Sequence, residues 1–467
     1  AMSDQVDVVV LGGGSGGYAA ALRAAQLGLS VTLIEKGKLG GTCLHRGCIP
    51  TKAILHAAEV ADSARHSARF GVHTRLDRID AKEIVTYADS VVSRLYKGLT
   101  GLVKSRRITV VADEGRVERA PDGQIAVRVG DDLIVGRATV LATGSAPKSI
   151  PGVEIDGTRV LTSEHALRLE TLPAKALVLG GGVIGVEFAS AWTSLGVEVT
   201  VVEALPRLLP GEEPEISAAL ERALRKRGMN IRTGSGVEQV VVTDEGVTLH
   251  LADQSTVSGE LVLVAVGRGP VSAGLGYEDA GVVLERGLVR VDEQLQTSVD
   301  DVYAVGDLVS GPQLAHRGFA HGIYVAEQIA HQLARLDRAP VPVRDRDLAK
   351  ITYSDPEVAS VGLTEEAARE AYGEIETLTY DLAGNGRSQI LKTQGFVKLI
   401  RQTDGPVVGV HLIGSRVSEL IAEAQLITGW DAFPADVAGL IHPHPTQAEA
   451  LGEAHLALAG KPLHAHS

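Results

Sequence analysis

Only two cysteines occur in the chain, Cys43 and Cys48, five positions apart in G-G-T-C-L-H-R-G-C-I-P-T-K. Thiols at that spacing could serve three chemistries. A structural staple over so short a loop adds little to a long chain, because the closure entropy it removes grows with loop length. A metal site needs further soft ligands at close spacing; the sequence offers none nearby, so no metal is expected. A dithiol that cycles between thiol and disulfide needs only the pair, and disulfides in cytosolic proteins are usually catalytic. Redox chemistry is the expectation.

Such a dithiol needs an electron carrier, and the chain repeats one candidate. Residues 10–35 read V-L-G-G-G-S-G-G-Y-A-A-A-L-R-A-A-Q-L-G-L-S-V-T-L-I-E, and residues 178–203 read V-L-G-G-G-V-I-G-V-E-F-A-S-A-W-T-S-L-G-V-E-V-T-V-V-E. The two align without a gap. Each is an apolar strand, a glycine-rich turn, a helix, a second strand and a terminal Glu, the fingerprint of a dinucleotide-binding βαβ unit. Gly12 and Gly180 make the sharp turn, Gly14 and Gly182 admit a pyrophosphate, and Gly17 and Gly185 let helix and strand close up. Glu35 and Glu203 are placed to accept hydrogen bonds from an adenosine ribose. One copy alone is weak evidence; two in register imply two dinucleotides. The first copy leads directly into the cysteine loop and is assigned FAD, the second the nicotinamide.

The surrounding elements follow. Val140 to Gly144 and Leu263 to Gly267 read as matching buried strands, each ending at a glycine that is a further candidate cofactor-binding position. V-Y-A-V-G-D, ending at Asp307, is another apolar strand. Alternation of helix and strand through the first two-thirds predicts an α/β fold with a largely parallel sheet. Beyond the Pro-rich A-P-V-P-V at 339–343 the pattern changes character.

At 467 residues, two or three domains are expected. The net charge of −13 repels polyanions and argues against a nucleic-acid partner. No apolar run approaches the roughly 20 residues of a membrane helix. Residues 6–11 already form a strand-like run with no basic region and cleavage site before it, so a cytoplasmic protein is expected.

The motifs together, G-G-G-S-G-G, G-G-T-C-L-H-R-G-C-I-P-T-K, A-T-G, G-G-G-V-I-G-V-E-F, Y-A-V-G-D and H-P-H-P-T-Q-A-E, resemble the pyridine nucleotide–disulfide oxidoreductases in the family's order. The likeness is greatest to the dihydrolipoyl dehydrogenase branch. This resemblance implies two Rossmann-like domains, for FAD and NAD, plus a C-terminal α+β dimerisation domain. On that reading, residues 1–148 begin the FAD domain, 149–269 are the NAD domain, 270–345 complete the FAD or central domain, and 346–467 form the dimer interface. It implies a homodimer whose active site draws on both subunits. Cys43 would exchange with substrate while Cys48 contacts the flavin, and Lys52 would lie beside the flavin ring, paired with Glu187. Asp307 would hold the ribityl chain, with Ala315 and His316 near the ring. His444 and Glu449 match the family's acid–base pair, and the His444–Pro445 peptide is expected to be cis.

The expected reaction is oxidation of protein-bound dihydrolipoamide with reduction of NAD⁺. The sequence holds no lipoyl domain, so the partner would be a lipoyl-bearing acyltransferase of a 2-oxo acid dehydrogenase complex. A glutathione- or mercuric-reductase-like enzyme is the alternative; Glu203 disfavours NADPH, and the C-terminus K-P-L-H-A-H-S lacks a second cysteine pair. A third possibility is a flavoprotein that serves mainly as a docking subunit. Three positions depart from the family pattern: His45 and Arg46 stand between the cysteines where many relatives carry neutral residues, and His321 stands where relatives often carry an acid.

Overall fold

The computed structural model describes residues 5–465. They form two compact units. The first takes the segment ending at Ala53, then Lys82–Lys148 and Gly267–Asp345; the second takes Ile54–Ala81, Ser149–Val266 and the chain from Arg346. Residues 54–81 thus group with the second unit although they lie within the 1–148 segment, and the chain returns to the first unit at Gly267.

The first unit is built on one mixed sheet. Strands Thr109–Val111, Val31–Ile34, Val6–Leu11 and Asp132–Leu141 run parallel in that order, and Val302–Ala304 pairs with the end of the last. The beginning of that long strand pairs instead with an antiparallel hairpin, Arg116–Arg119 and Ile125–Val129. The inner strands Val31–Ile34 and Val6–Leu11 are nearly continuous apolar runs because both their faces are covered. Helix Ser15–Gln26 packs on helix Ala315–Gln332 with small residues at the crossing. A Cβ on Gly322 would stand 2.4 Å from the Gly16 carbonyl oxygen, so the two backbones touch.

In the second unit, Asn230–Arg232, Glu198–Val202, Lys175–Leu179, Leu261–Val264 and Val160–Leu161 form an all-parallel sheet. A three-stranded antiparallel sheet, Val237–Val242 to Thr256–Gly259, is inserted in sequence before Leu261. The C-terminal region adds a five-stranded antiparallel sheet ordered 350–352, 357–362, 407–414, 396–402, 375–381, backed by helices Val417–Gly429 and Glu449–Leu458. Two of its elements are tied to the nucleotide-fold part of this unit by a buried lysine. Lys398 Nζ sits 3.3, 3.0 and 2.6 Å from carboxylate oxygens of Glu213, Glu215 and Glu365. Its ammonium fills the centre of the three-carboxylate cluster.

Among the described residues, no helix is long and apolar enough to cross a membrane.

Candidate active site

Both glycine turns are built as the spacing requires. Gly12 has φ +104°, and a Cβ there would meet the Ala142 carbonyl oxygen at 2.1 Å; Gly180 has φ +116° with Ala265 in the same role at 2.1 Å. Only glycine fits such a turn. A Cβ on Gly17 or Gly185 would stand 1.8 or 2.1 Å from the carbonyl oxygen of Gly12 or Gly180, which fixes how closely each helix starts against its strand. Helices Ser15–Gln26 and Val183–Ser194 begin at Gly14 and Gly182 without a side-chain cap, so their first N–H groups and positive dipole ends suit a phosphate. Glu35 accepts the N–H groups of Gly13 and Gly37, both at 2.7 Å. Glu203 accepts those of Gly181 at 2.5 Å and Leu205 at 2.9 Å. Two carboxylates locked by backbone amides at the strand ends suit two riboses, so the residues present fit a dinucleotide in each unit.

The first turn also carries the cysteines. The Gly40 N–H donates to the Gly13 carbonyl at 2.8 Å, and a Cβ on Gly41, at φ +63°, would stand 2.5 Å from Gly14 Cα. The cysteine loop therefore starts on the fingerprint itself. Cys43 lies in the short helix Gly41–Arg46 and Cys48 opens helix Cys48–His66, at the end where negative charge is favoured. Both stand as thiols, not as a disulfide. Their mutual hydrogen bond, then burial, then the charge on Cys48 push the Cys43 thiol up, while the Lys52 ammonium pulls it down. Tyr18 follows the glycines and faces the same pair; burial first, then Cys43 and Cys48, raise it to about 12. His45 is anchored: its Nε2 lies 2.7 Å from the Leu39 carbonyl oxygen and its ring is edge-on to Tyr96 at 5.1 Å. Arg46 is exposed.

Asp307 stands in the turn Gly306–Leu308 and accepts the Ser145 hydroxyl at 2.6 Å, one residue beyond Gly144. Ala315 and His316 open helix Ala315–Gln332, again without a side-chain cap. His321, in that helix, accepts the Gly306 N–H at 3.1 Å. Burial, with Arg317 adding to it, lowers His321 to about 4, so it is a neutral acceptor where an acid was the family pattern.

Lys52 belongs to the first unit, and Glu187, 2 % exposed, to the second. The second unit also holds the C-terminal pair. His444 Nδ1 lies 2.6 Å from Glu449 Oε1, and the other carboxylate oxygen accepts the Thr446 N–H at 2.8 Å. Burial opposes the charge on Glu449, but the Thr446 amide and His444 outweigh it and hold the carboxyl below its usual range. With Nδ1 so held, Nε2 is the outward nitrogen of a ring whose side chain is 78 % exposed. The His444–Pro445 peptide is cis, as is Asp355–Pro356, for which no expectation stood. A second dyad also went unforeseen: His442 Nε2 is 2.6 Å from Glu423 Oε1, its ring packed where only glycine fits, at Gly452.

Residues 6–322 match the family described as pyridine nucleotide-disulphide oxidoreductase, and residues 348–455 match its dimerisation domain. The chain is 40 % identical to the dihydrolipoyl dehydrogenase of Bacillus subtilis, over 99 % of this chain and 100 % of that one. It is 38 % identical to the mitochondrial enzyme of Pisum sativum, over 99 % and 93 %. Among solved structures, LpdA from Mycobacterium tuberculosis superposes with a TM-score of 0.87 at 27 % identity, covering 97 % of this chain and 100 % of that one. The HOCl-induced flavoprotein disulfide reductase of Escherichia coli, in its Cu(II) complex, gives 0.85 at 27 % identity, over 98 % and 100 %.

Proposed function

The chain belongs to the pyridine nucleotide–disulphide oxidoreductase family, and from that premise we propose that it is a dihydrolipoyl dehydrogenase, oxidising dihydrolipoamide with NAD⁺ through Cys43 and Cys48. One observation carries the reading: the thiols hydrogen-bond to each other on a loop that starts against the first dinucleotide turn. FAD, held by that turn, would accept the electron pair from the dithiol and supply it as hydride to NAD⁺.

The side chains then have defined work. Outward Nε2 of His444 takes a proton from a substrate thiol, with Glu449 stabilising the imidazolium. The resulting thiolate attacks Cys43 of the oxidised pair, forming a mixed disulfide and releasing the Cys48 thiolate. The second substrate thiol closes the lipoyl disulfide and releases Cys43. Lys52 lies near enough to Cys43 to favour the anion. Glu203, held by two amides, accepts a 2′-hydroxyl and repels a 2′-phosphate, which selects NAD⁺. The chain carries the dimerisation domain, and in a two-fold dimer His444 would serve the thiols of the other subunit. The substrate would arrive on a lipoyl-bearing acyltransferase of a 2-oxo acid dehydrogenase complex.

The test is NAD⁺ reduction by the purified flavoprotein with dihydrolipoamide, beside glutathione reduction and NADPH-dependent Hg²⁺ reduction. Turnover with dihydrolipoamide alone is expected. Faster glutathione or Hg²⁺ turnover would move the chain to another branch of the family.

A further inference from the structure

The chain leaves the first unit after Lys148 and re-enters it at Gly267. The two crossings lie side by side. Ser145–Pro147 pairs antiparallel with Arg268–Pro270, and the Lys148 N–H donates to the Gly267 carbonyl at 2.9 Å. Side chains add to this backbone pairing. The Thr143 hydroxyl donates to the Val271 carbonyl at 2.7 Å. Arg268 Nη2 donates to the Ser145 carbonyl at 2.8 Å, and its Nε donates to the Ser145 hydroxyl at 2.9 Å. That hydroxyl donates to Asp307 Oδ2 at 2.6 Å. The Gln313 amide in turn holds the Arg268 carbonyl at 3.1 Å.

We propose that Arg268 is a positioning residue which, through Ser145, fixes the Asp307 carboxylate for the flavin ribityl chain. This rests on the reading of Asp307 as an FAD ligand. A guanidinium only donates, whereas a hydroxyl has one hydrogen and can rotate. With Arg268 on its acceptor side, the Ser145 hydrogen turns to Asp307. The relay then has one direction, from cation through hydroxyl to carboxylate, with charge assistance at both ends. Without Arg268 the hydroxyl can swing away, and the carboxylate loses the bond that holds its plane. The consequence concerns assembly: the carboxylate is set only when the returning strand is paired in register with the Thr143–Ser145 turn.

The test compares Ser145→Ala, Arg268→Met, the double variant and the conservative Ser145→Thr in the full chain. FAD affinity is measured by titrating the flavin back into stripped protein, together with the visible circular dichroism of bound flavin and thermal unfolding. Each single variant should weaken FAD binding about tenfold, the loss expected for one charge-assisted bond. The double should be no worse than the worse single, and Ser145→Thr should bind like the wild type. Losses that add in the double variant would overturn the relay. So would Arg268→Met with a lower melting temperature but unchanged FAD affinity and dichroism, the signature of strand packing alone. If Arg268→Met does not fold, Arg268→Gln is measured beside Ser145→Ala: the glutamine NH2 can still donate to the Ser145 hydroxyl, so affinity near the wild type is expected for it, and wild-type affinity in Ser145→Ala refutes the proposal. A wild-type chain that binds no FAD would remove the parent reading and the relay with it.

Discussion

The two dinucleotide turns are near copies in their backbones and opposites in their surroundings. Gly12 and Gly180, Gly17 and Gly185, Glu35 and Glu203 make the same contacts to within a few tenths of an ångström. Around Gly14, however, the first copy is closed by Gly41 of the cysteine loop, while a Cβ on Gly182 would meet nothing within 4 Å. The helices differ likewise. Ser15–Gln26 meets Ala315–Gln332 through Gly16 and Gly322, with Tyr18 against Phe319 beside them; Val183–Ser194 carries Phe188 and Trp192, both buried and in edge contact at 5.6 Å. A fingerprint thus specifies that a dinucleotide binds. On the proposed reading, what packs over it would decide whether the cofactor is enclosed beside sulfur or exchanges.

That contrast can be broken most severely at the closed copy. Gly41→Ala places a Cβ 2.5 Å from the Gly14 backbone at a left-handed φ, so the loop or the turn must move. Flavin content should collapse and turnover fall by about three orders of magnitude or more, the scale of losing placement at the reacting centre. Gly182→Ala would meet no atom within 4 Å and has an ordinary φ of −80°. It should keep its flavin and its fold while the KM for NAD⁺ rises about tenfold, because the methyl takes pyrophosphate space. Loss of flavin from Gly182→Ala, or full flavin in Gly41→Ala, would contradict the division of roles.

A middle-sized effect sharpens the second copy. Like charges juxtaposed at an interface cost several kcal/mol, so kcat/KM for NAD⁺ should exceed that for NADP⁺ by about two to three orders of magnitude. Glu203→Gln removes the charge while its one amide oxygen can still accept one of the two backbone N–H groups, and it should narrow the ratio by relaxing rejection of NADP⁺. Equal use of both cofactors by the wild type would sink the assignment of Glu203.

Much of this was legible in the sequence because local rules carry it. The glycines, the terminal Glu residues, the adjacent thiols and the parallel strands follow from spacing and periodicity. The His444–Glu449 contact was legible only through resemblance, since nothing in a Pro-rich segment fixes which carboxylate a histidine meets. What stayed hidden depends on contacts distant in sequence with no periodic signature. Arg268 meets Ser145 across 123 positions, Lys398 meets Glu213 across 185, and Glu423 meets the loop residue His442 from helix Val417–Gly429. The hairpin at 116–129 was missed because it joins the sheet antiparallel, on the half of Asp132–Leu141 that the parallel strand Val302–Ala304 does not reach.

The smallest effect concerns stability and compares one buried histidine in each unit. Burial lowers His321 to about 4, with Arg317 adding and Asp345 opposing. Burial likewise lowers His455 to about 4, with the Leu451 carbonyl opposing and His442 adding. Unfolded, each returns to its ordinary 6.5 and binds a proton the folded chain does not. Stability therefore rises with pH through the window between those values; it is fully present above about 6.5 and is lost as pH falls toward 4. Each site contributes at most on the order of 3 kcal/mol across that window. His321→Gln supplies an amide oxygen for the Gly306 N–H without titrating. Calorimetric unfolding of the flavin-loaded protein from about pH 7 down to 4.5 should lose roughly half of this histidine-linked pH dependence in the variant. If the units melt separately, only the flavin-bearing transition should flatten, with the other keeping the slope set by His455. An unchanged slope in both transitions would mean that His321 takes up its proton within the fold, and that the Gly306 N–H has another acceptor.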